Sequence, residues 1–153
     1  MKTLPLIDNP VLWAALMAWF LAQTLKIPIE YFRSRKWDWV LWLRAGGMPS
    51  SHSAFVSSTA HAIGLFYGFE SPLFTVSVVL AVIVIYDATG IRRQAGMHAE
   101  LINAIIKDLR DGHPLRQETQ KQLREVLGHT PFEAVMGTIL GIVTAQLLWL
   151  WVS

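Results

Sequence analysis

Three short stretches of this chain set imidazoles, cations and a carboxylate at spacings that suit phosphate chemistry. His52 lies in Gly46-Gly47-Met48-Pro49-Ser50-Ser51-His52-Ser53. Glycines let backbone N–H groups approach an anion closely, and a helix opening at these serines adds partial positive charge. The segment reads as an oxyanion cradle with an imidazole at its lip, although a plain helix start with capping serines has the same composition. His129 stands four residues before Glu133 in Gly128-His129-Thr130-Pro131-Phe132-Glu133. That spacing is about one helical turn. A carboxylate bonded to one ring nitrogen fixes the tautomer and leaves the other nitrogen free to attack. An N-terminal cap with an early acidic residue is the plainer reading of the same residues. Lys26 and Arg33 are seven residues apart, two turns along one helix face. They suit either phosphate oxygens or the membrane interface, where long cations snorkel.

A nucleophile, a proton donor and charge neutralisation are what phosphoryl transfer without a metal requires. The segments are far apart in sequence, so helices must bring their ends together. Of 153 residues, 53% are hydrophobic and only 16% are charged, against about 25% charged in a soluble domain. Mean hydropathy is +0.39. These values describe a chain whose surface faces lipid. The absence of Cys excludes disulfides and thiolate metal sites, and a net charge of +2 makes no case for nucleic acid.

A membrane span needs about 20 mostly apolar residues. The pattern predicts one all-α membrane domain over 1–153 with about four spans, at about 10–31, 50–69, 73–91 and 131–152. Backbone satisfaction in lipid leaves helices as the solution, since no barrel-like alternation is present. The first segment reads as a retained helix, because no small-x-small cleavage site follows it. Pro28 is expected to bend its end. The second is polar for a span, with Ser51, Ser53, Ser57, Ser58, Thr59 and His61; such residues suit close helix packing. The stretch 94–128 is charged, with Leu101, Ile105 and Leu109 at helical spacing, and predicts one or two amphipathic interfacial helices. Gly137-x-x-x-Gly141 permits close packing in the last span and offers a face for a homodimer. Trp149 and Trp151 form an interfacial anchor.

Every Lys and Arg except Lys2 falls at or within the two connections flanking the second and third spans. With four spans these connections share one side. The positive-inside rule places that side, and the histidine segments with it, in the cytoplasm.

Taken together, the three segments resemble the type 2 phosphatidic acid phosphatase superfamily, specifically its short, divergent bacterial and plastid branch. That superfamily shows Lys-x6-Arg-Pro, Pro-Ser-Gly-His and Ser-Arg-x5-His-x3-Asp. Lys26-x6-Arg33 is followed here by Ser34, Pro49-Ser50-Ser51-His52 has Ser51 for Gly, and His129-x3-Glu133 has Glu for Asp. The resemblance implies a metal-independent phosphatase of lipid phosphates or pyrophosphates in a bacterial inner or plastid membrane, with no cofactor. It implies that His129 attacks phosphorus to form a phosphohistidine, that Glu133 orients it, and that His52 protonates the leaving alcohol. Lys26, Arg33 and groups around Ser50 and Ser51 would hold the phosphate oxygens. The family arginine has no direct counterpart, since Leu123 stands six residues before His129. Arg92 or Arg93 fills that role if 94–128 is an insertion. Many bacterial members face the periplasm, whereas the charge pattern here points to the cytoplasm.

Two other readings stand beside this one. A metal-dependent membrane enzyme would use the histidines and Asp87-Ala88-Thr89-Gly90-x-Arg92, but the further aspartates one turn apart that such chemistry needs do not follow in a span. A non-catalytic protein would keep the phosphate site and bind anionic lipid or a partner. His61 is expected to be packed and hydrogen-bonded, about 13 Å along the helix from His52. His98 and Glu100 are expected at the interface, and Asp87 beside the arginines.

Overall fold

The computed structural model describes residues 8–35, 37, 39–42, 47–90, 98, 101–103, 105–107 and 129–153, with Arg33, Val40 and Leu41 described by their backbone alone. Among these residues the chain is all-helical. Helix α1 is Pro10–Ser34, a single 3-10 turn is Trp39–Trp42, and α2, α3 and α4 are Ser51–Tyr67, Pro72–Thr89 and Pro131–Val152.

Local sequence explains each boundary. Asn9 caps α1 by accepting from the N–H groups of Val11 and Leu12 at 3.0 and 3.2 Å. Ser50, Ser71 and Thr130 cap the other three through their hydroxyls. Proline occupies the first turn of α1, α3 and α4, where its missing N–H costs nothing. Pro28 sits inside α1 without ending it, and the helix runs past the expected residue 31 to Ser34, where Arg35 takes the left-handed conformation at φ 57°. Gly68, at φ 93°, closes α2 at Tyr67, earlier than the expected 69. Gly90 closes α3 at Thr89 rather than 91.

Three helices are long and apolar enough to cross a membrane: α1 over Pro10–Phe32, α3 and α4. The 17 residues of α2 fall short of that length, and α2 packs against all three of the others. The interior is made of small residues and the outside of large ones. Ala14, Ala18, Ala22, Ala54, Ala62 and Ala145 are fully buried, while Phe20, Val79, Ile83, Val143 and Leu147 are exposed. Lipid is as apolar as leucine, so burying large side chains gains little there, and helices associate by close backbone approach and hydrogen bonds instead.

The glycine pair of α4 shows this most directly. A Cβ on Gly137 would lie 2.3 Å from the Ser50 carbonyl oxygen, and one on Gly141 would lie 2.3 Å from that of Ala54. The face expected to offer a homodimer contact is therefore spent inside the chain, against α2. The Ser58 hydroxyl donates to the Ala14 carbonyl at 2.8 Å, tying α2 to α1. His61 Nε2 meets Gln146 Oε1 at 3.1 Å, so it is packed and hydrogen-bonded as expected.

Between α3 and α4, residues 101–103 and 105–107 are helical, and the remainder of 94–128 apart from His98 lies outside the described residues. Leu101 and Ile105 are half-buried there, while His98, Ile102 and Ile106 are exposed.

Candidate active site

The C-terminal ends of α1 and α3 and the N-terminal ends of α2 and α4 meet at one end of the bundle. Three hydrogen bonds between these ends fix that convergence, and one further contact lies within the start of α4. Lys26 of α1 donates from Nζ to Ser51 Oγ at 3.4 Å. The Ser50 N–H donates to the Glu133 carbonyl at 3.0 Å, and the His129 N–H to the Ala88 carbonyl at 3.1 Å. His129 Nδ1 lies 3.3 Å from Glu133 Oε2. Residues separated by as many as 83 positions thus become neighbours.

Glu133 does two jobs with one carboxylate. Thr130 caps α4, accepting from the Glu133 N–H at 3.3 Å, while Glu133 Oε2 accepts from the Thr130 N–H at 3.0 Å. This is a capping box, foreshadowed by the Thr130-x-x-Glu133 spacing. The same Oε2 faces His129 Nδ1. The helix start therefore holds the carboxylate in place against the ring. The capping reading of this segment is observed, and the same carboxylate lies within hydrogen-bond distance of the His129 ring.

His129 is only 3% exposed. Its Nε2 is buried and has no hydrogen-bond partner among the described residues. The His52 ring, in the first turn of α2, lies with its centroid 5.9 Å from that of His129, the planes inclined at 62°. Lys26 is 2% exposed, yet Lys26, Glu133, Thr130, Gly47 and Glu30 line a pocket of about 300 Å³ beside this pair. A buried lysine among helix ends, with the N-terminal dipoles of α2 and α4 close by, makes a setting for an anion.

The structure brings together Lys26, Ser50, Ser51, His52, His129 and Glu133. Ser50 is fully buried, its N–H committed to Glu133 and its Oγ to the N–H and hydroxyl of Ser53, so it builds the site rather than offering that amide to a ligand. Arg33 lies in the last turn of α1, two turns beyond Lys26, and its side chain is outside the described residues. Arg92 and Arg93 also lie outside them. Asp87 is half-buried one residue before Ala88. Among the described residues no three His, Cys, Asp or Glu side chains gather as a metal-binding set. Two contributors went unread in the sequence. The Ala88 carbonyl could not be seen because backbone pairing between distant segments leaves no side-chain signature. Gly137 reads as permitting close helix packing, but not as meeting the Ser50 carbonyl at the site.

An all-helical membrane bundle with a paired-histidine site at one end defines a class, and the comparisons with known proteins define it further. The family model for the divergent PAP2 family matches residues 7–144, and the chain belongs to that family. It is 41% identical over 151 residues to the uncharacterized membrane protein YuiD of Bacillus subtilis (strain 168), covering 94% of this chain and 96% of that protein. No solved structure matches the chain. With its three apolar helices and this relative, the chain is an integral membrane protein.

Proposed function

We propose that the protein is a metal-independent phosphatase of a membrane lipid phosphate or pyrophosphate, working through a phosphohistidine. The observation that carries this reading is the state of His129. Its Nδ1 is held by Glu133, while its Nε2 is buried with no hydrogen-bond partner among the described residues, beside the His52 ring. In the proposed reaction Nε2 attacks phosphorus, the bond from phosphorus to the lipid oxygen breaks, and His52 gives its proton to that oxygen. Water then attacks the phosphohistidine, His52 takes a proton back, and inorganic phosphate leaves. Lys26 and Arg33 of α1, with Arg92 or Arg93 from the connection that follows α3, neutralise the phosphate oxygens. In this reading α2 is a fourth crossing whose serines and His61 are shielded by the other helices, 94–128 lies at the interface, and the site faces the cytoplasm of a bacterium or the equivalent side of a plastid membrane.

The test is phosphate release by purified protein in detergent from a panel of lipid phosphates and pyrophosphates, in the presence of EDTA. Release is expected from the wild type and not from His129→Ala. Release that appears only on restoring a divalent metal would assign the chemistry to a metal enzyme. A second reading, a protein that holds phosphate without hydrolysing it, is favoured by the burial of His129 and by Lys26, rather than either histidine, lining the pocket. Folded protein that binds the lipid phosphate and releases nothing would establish that reading.

Glu133→Gln separates capping from orientation. Glutamine still completes a capping box, so the melting temperature should hold within a few degrees. Activity should fall steeply, because a neutral amide neither fixes the reactive tautomer nor stabilises a charged ring; the equivalent carboxylate-to-amide change in a serine-protease triad costs about 10⁴-fold. Unchanged activity with unchanged stability would reduce Glu133 to a capping residue.

A further inference from the structure

We propose that the groove between α3 and α4 receives one hydrocarbon chain of the phosphate ester, so that the substrate is an amphiphile with its tail on the α3 side of the site. This rests on the phosphatase reading for the headgroup. The groove has a volume of about 300 Å³ and is lined by Ile85 and Thr89 of α3 and by Pro131, Val135, Thr138 and Ile139 of α4.

Four observations select a hydrocarbon chain as its occupant. The groove begins at the candidate site: Pro131 is two residues from His129, and Thr89 adjoins Ala88, whose carbonyl accepts the His129 N–H. Its two hydroxyls are already used, Thr89 Oγ1 donating to the Ile85 carbonyl at 2.9 Å and Thr138 Oγ1 to the Ala134 carbonyl at 3.0 Å. The lining therefore presents methyl and methylene groups to whatever enters. Both walls belong to helices apolar enough to cross the membrane, and Val135 and Ile139 are about half exposed, so the groove opens sideways into lipid. Finally, the gap is built in. The glycine face of α4 is taken up by α2, and α3 touches α4 only lightly.

Its reach is set by geometry. From Pro131 to Ile139 is eight residues, or about 12 Å along the helix. An extended alkyl chain with bonds of about 1.5 Å advances about 1.25 Å per carbon, so about ten carbons fill the groove. The pocket on the other side of the first turn of α4 is lined by the charged Lys26, Glu30 and Glu133 together with Ile29, Met48 and Phe132. Charged side chains line that pocket and none line the groove, so the headgroup belongs on the pocket side of that turn and the tail on the groove side.

The experiment is photolabelling of the full-length wild-type protein in detergent. The probe is a long-chain alkyl phosphate with a diazirine midway along the chain, and the labelled residues are mapped by peptide sequencing. Label is expected within 85–89 and 131–139. Unlabelled alkyl phosphate at about ten times its Kd should displace about nine-tenths of it by mass action, whereas a phosphocholine of the same chain length should not. Label on Ile29, Met48 or Phe132 of the other pocket would overturn the proposal, as would groove label that alkyl phosphate does not displace, which marks ordinary micelle contact. Phosphate release measured in parallel keeps the two ideas apart. Displaceable groove label without release sinks the hydrolase reading and leaves the tail groove standing. Release with the label elsewhere does the reverse.

Discussion

Replacing His52 by alanine is expected to slow release of the alcohol from an alkyl phosphate by about 10²- to 10⁴-fold, the usual worth of a positioned general acid, while sparing the first-turnover burst of nitrophenolate from an activated aryl phosphate. An alkoxide leaves poorly without a proton, whereas a nitrophenolate leaves unaided. His129→Ala should abolish release from both, because the nucleophile is needed whatever departs; losses of this kind exceed about 10³-fold. The structural basis is the asymmetry between the two rings. His129 is locked by Glu133 and by its own N–H bond to Ala88, whereas His52 stands half-buried on the first turn of α2 beside it. First-turnover release of alcohol or nitrophenolate, measured on both variants at one pH, checks this. Equal first-turnover losses on the two esters in His52→Ala would remove it as the leaving-group acid.

The second large effect is on the fold itself. Gly141→Leu is expected to part α2 from α4 and to remove folded protein from detergent extracts. The atom that a new Cβ meets at 2.3 Å is the Ala54 carbonyl oxygen, and the Ser58 N–H is 2.9 Å away, both of them backbone. Neither can rotate aside as a side chain would, so the helices must separate. Even Gly141→Ala should cost about 1–3 kcal/mol, the range for forcing atoms into a filled core. Gly137→Ala should cost a similar amount and should also depress activity disproportionately. There the obstructing atom is the carbonyl oxygen of Ser50, the residue that joins the start of α2 to Glu133. Thermal unfolding followed by size-exclusion recovery, with phosphate release per folded molecule, separates the two contributions. Wild-type stability in both alanine variants would free the glycine face for contact with a second chain.

The sequence was enough, by itself, to establish an all-helical membrane chain. Four capped helices follow from Asn9, Ser50, Ser71 and Thr130, from prolines in first turns, and from glycines at Gly68 and Gly90. These are local effects, readable within one or two turns, and they misplace an end by only a few residues. The order Lys26, His52, His129, Glu133 was legible for the same reason, since Glu133 reaches back from the first turn of α4 to His129 just before its cap. What required the tertiary structure is everything that depends on which face meets which. The sequence shows that Gly137 and Gly141 invite a close neighbour but not which one, because glycine spacing describes a surface and carries no address. The bundle gives that surface to α2, which reads in the sequence as a span although its 17 residues fall short of one. That contact sets the Ser50 N–H on Glu133 and the His52 ring beside His129. The bond from His129 to the Ala88 carbonyl was equally invisible, since backbone groups are the same at every residue and only packing decides which of them pair.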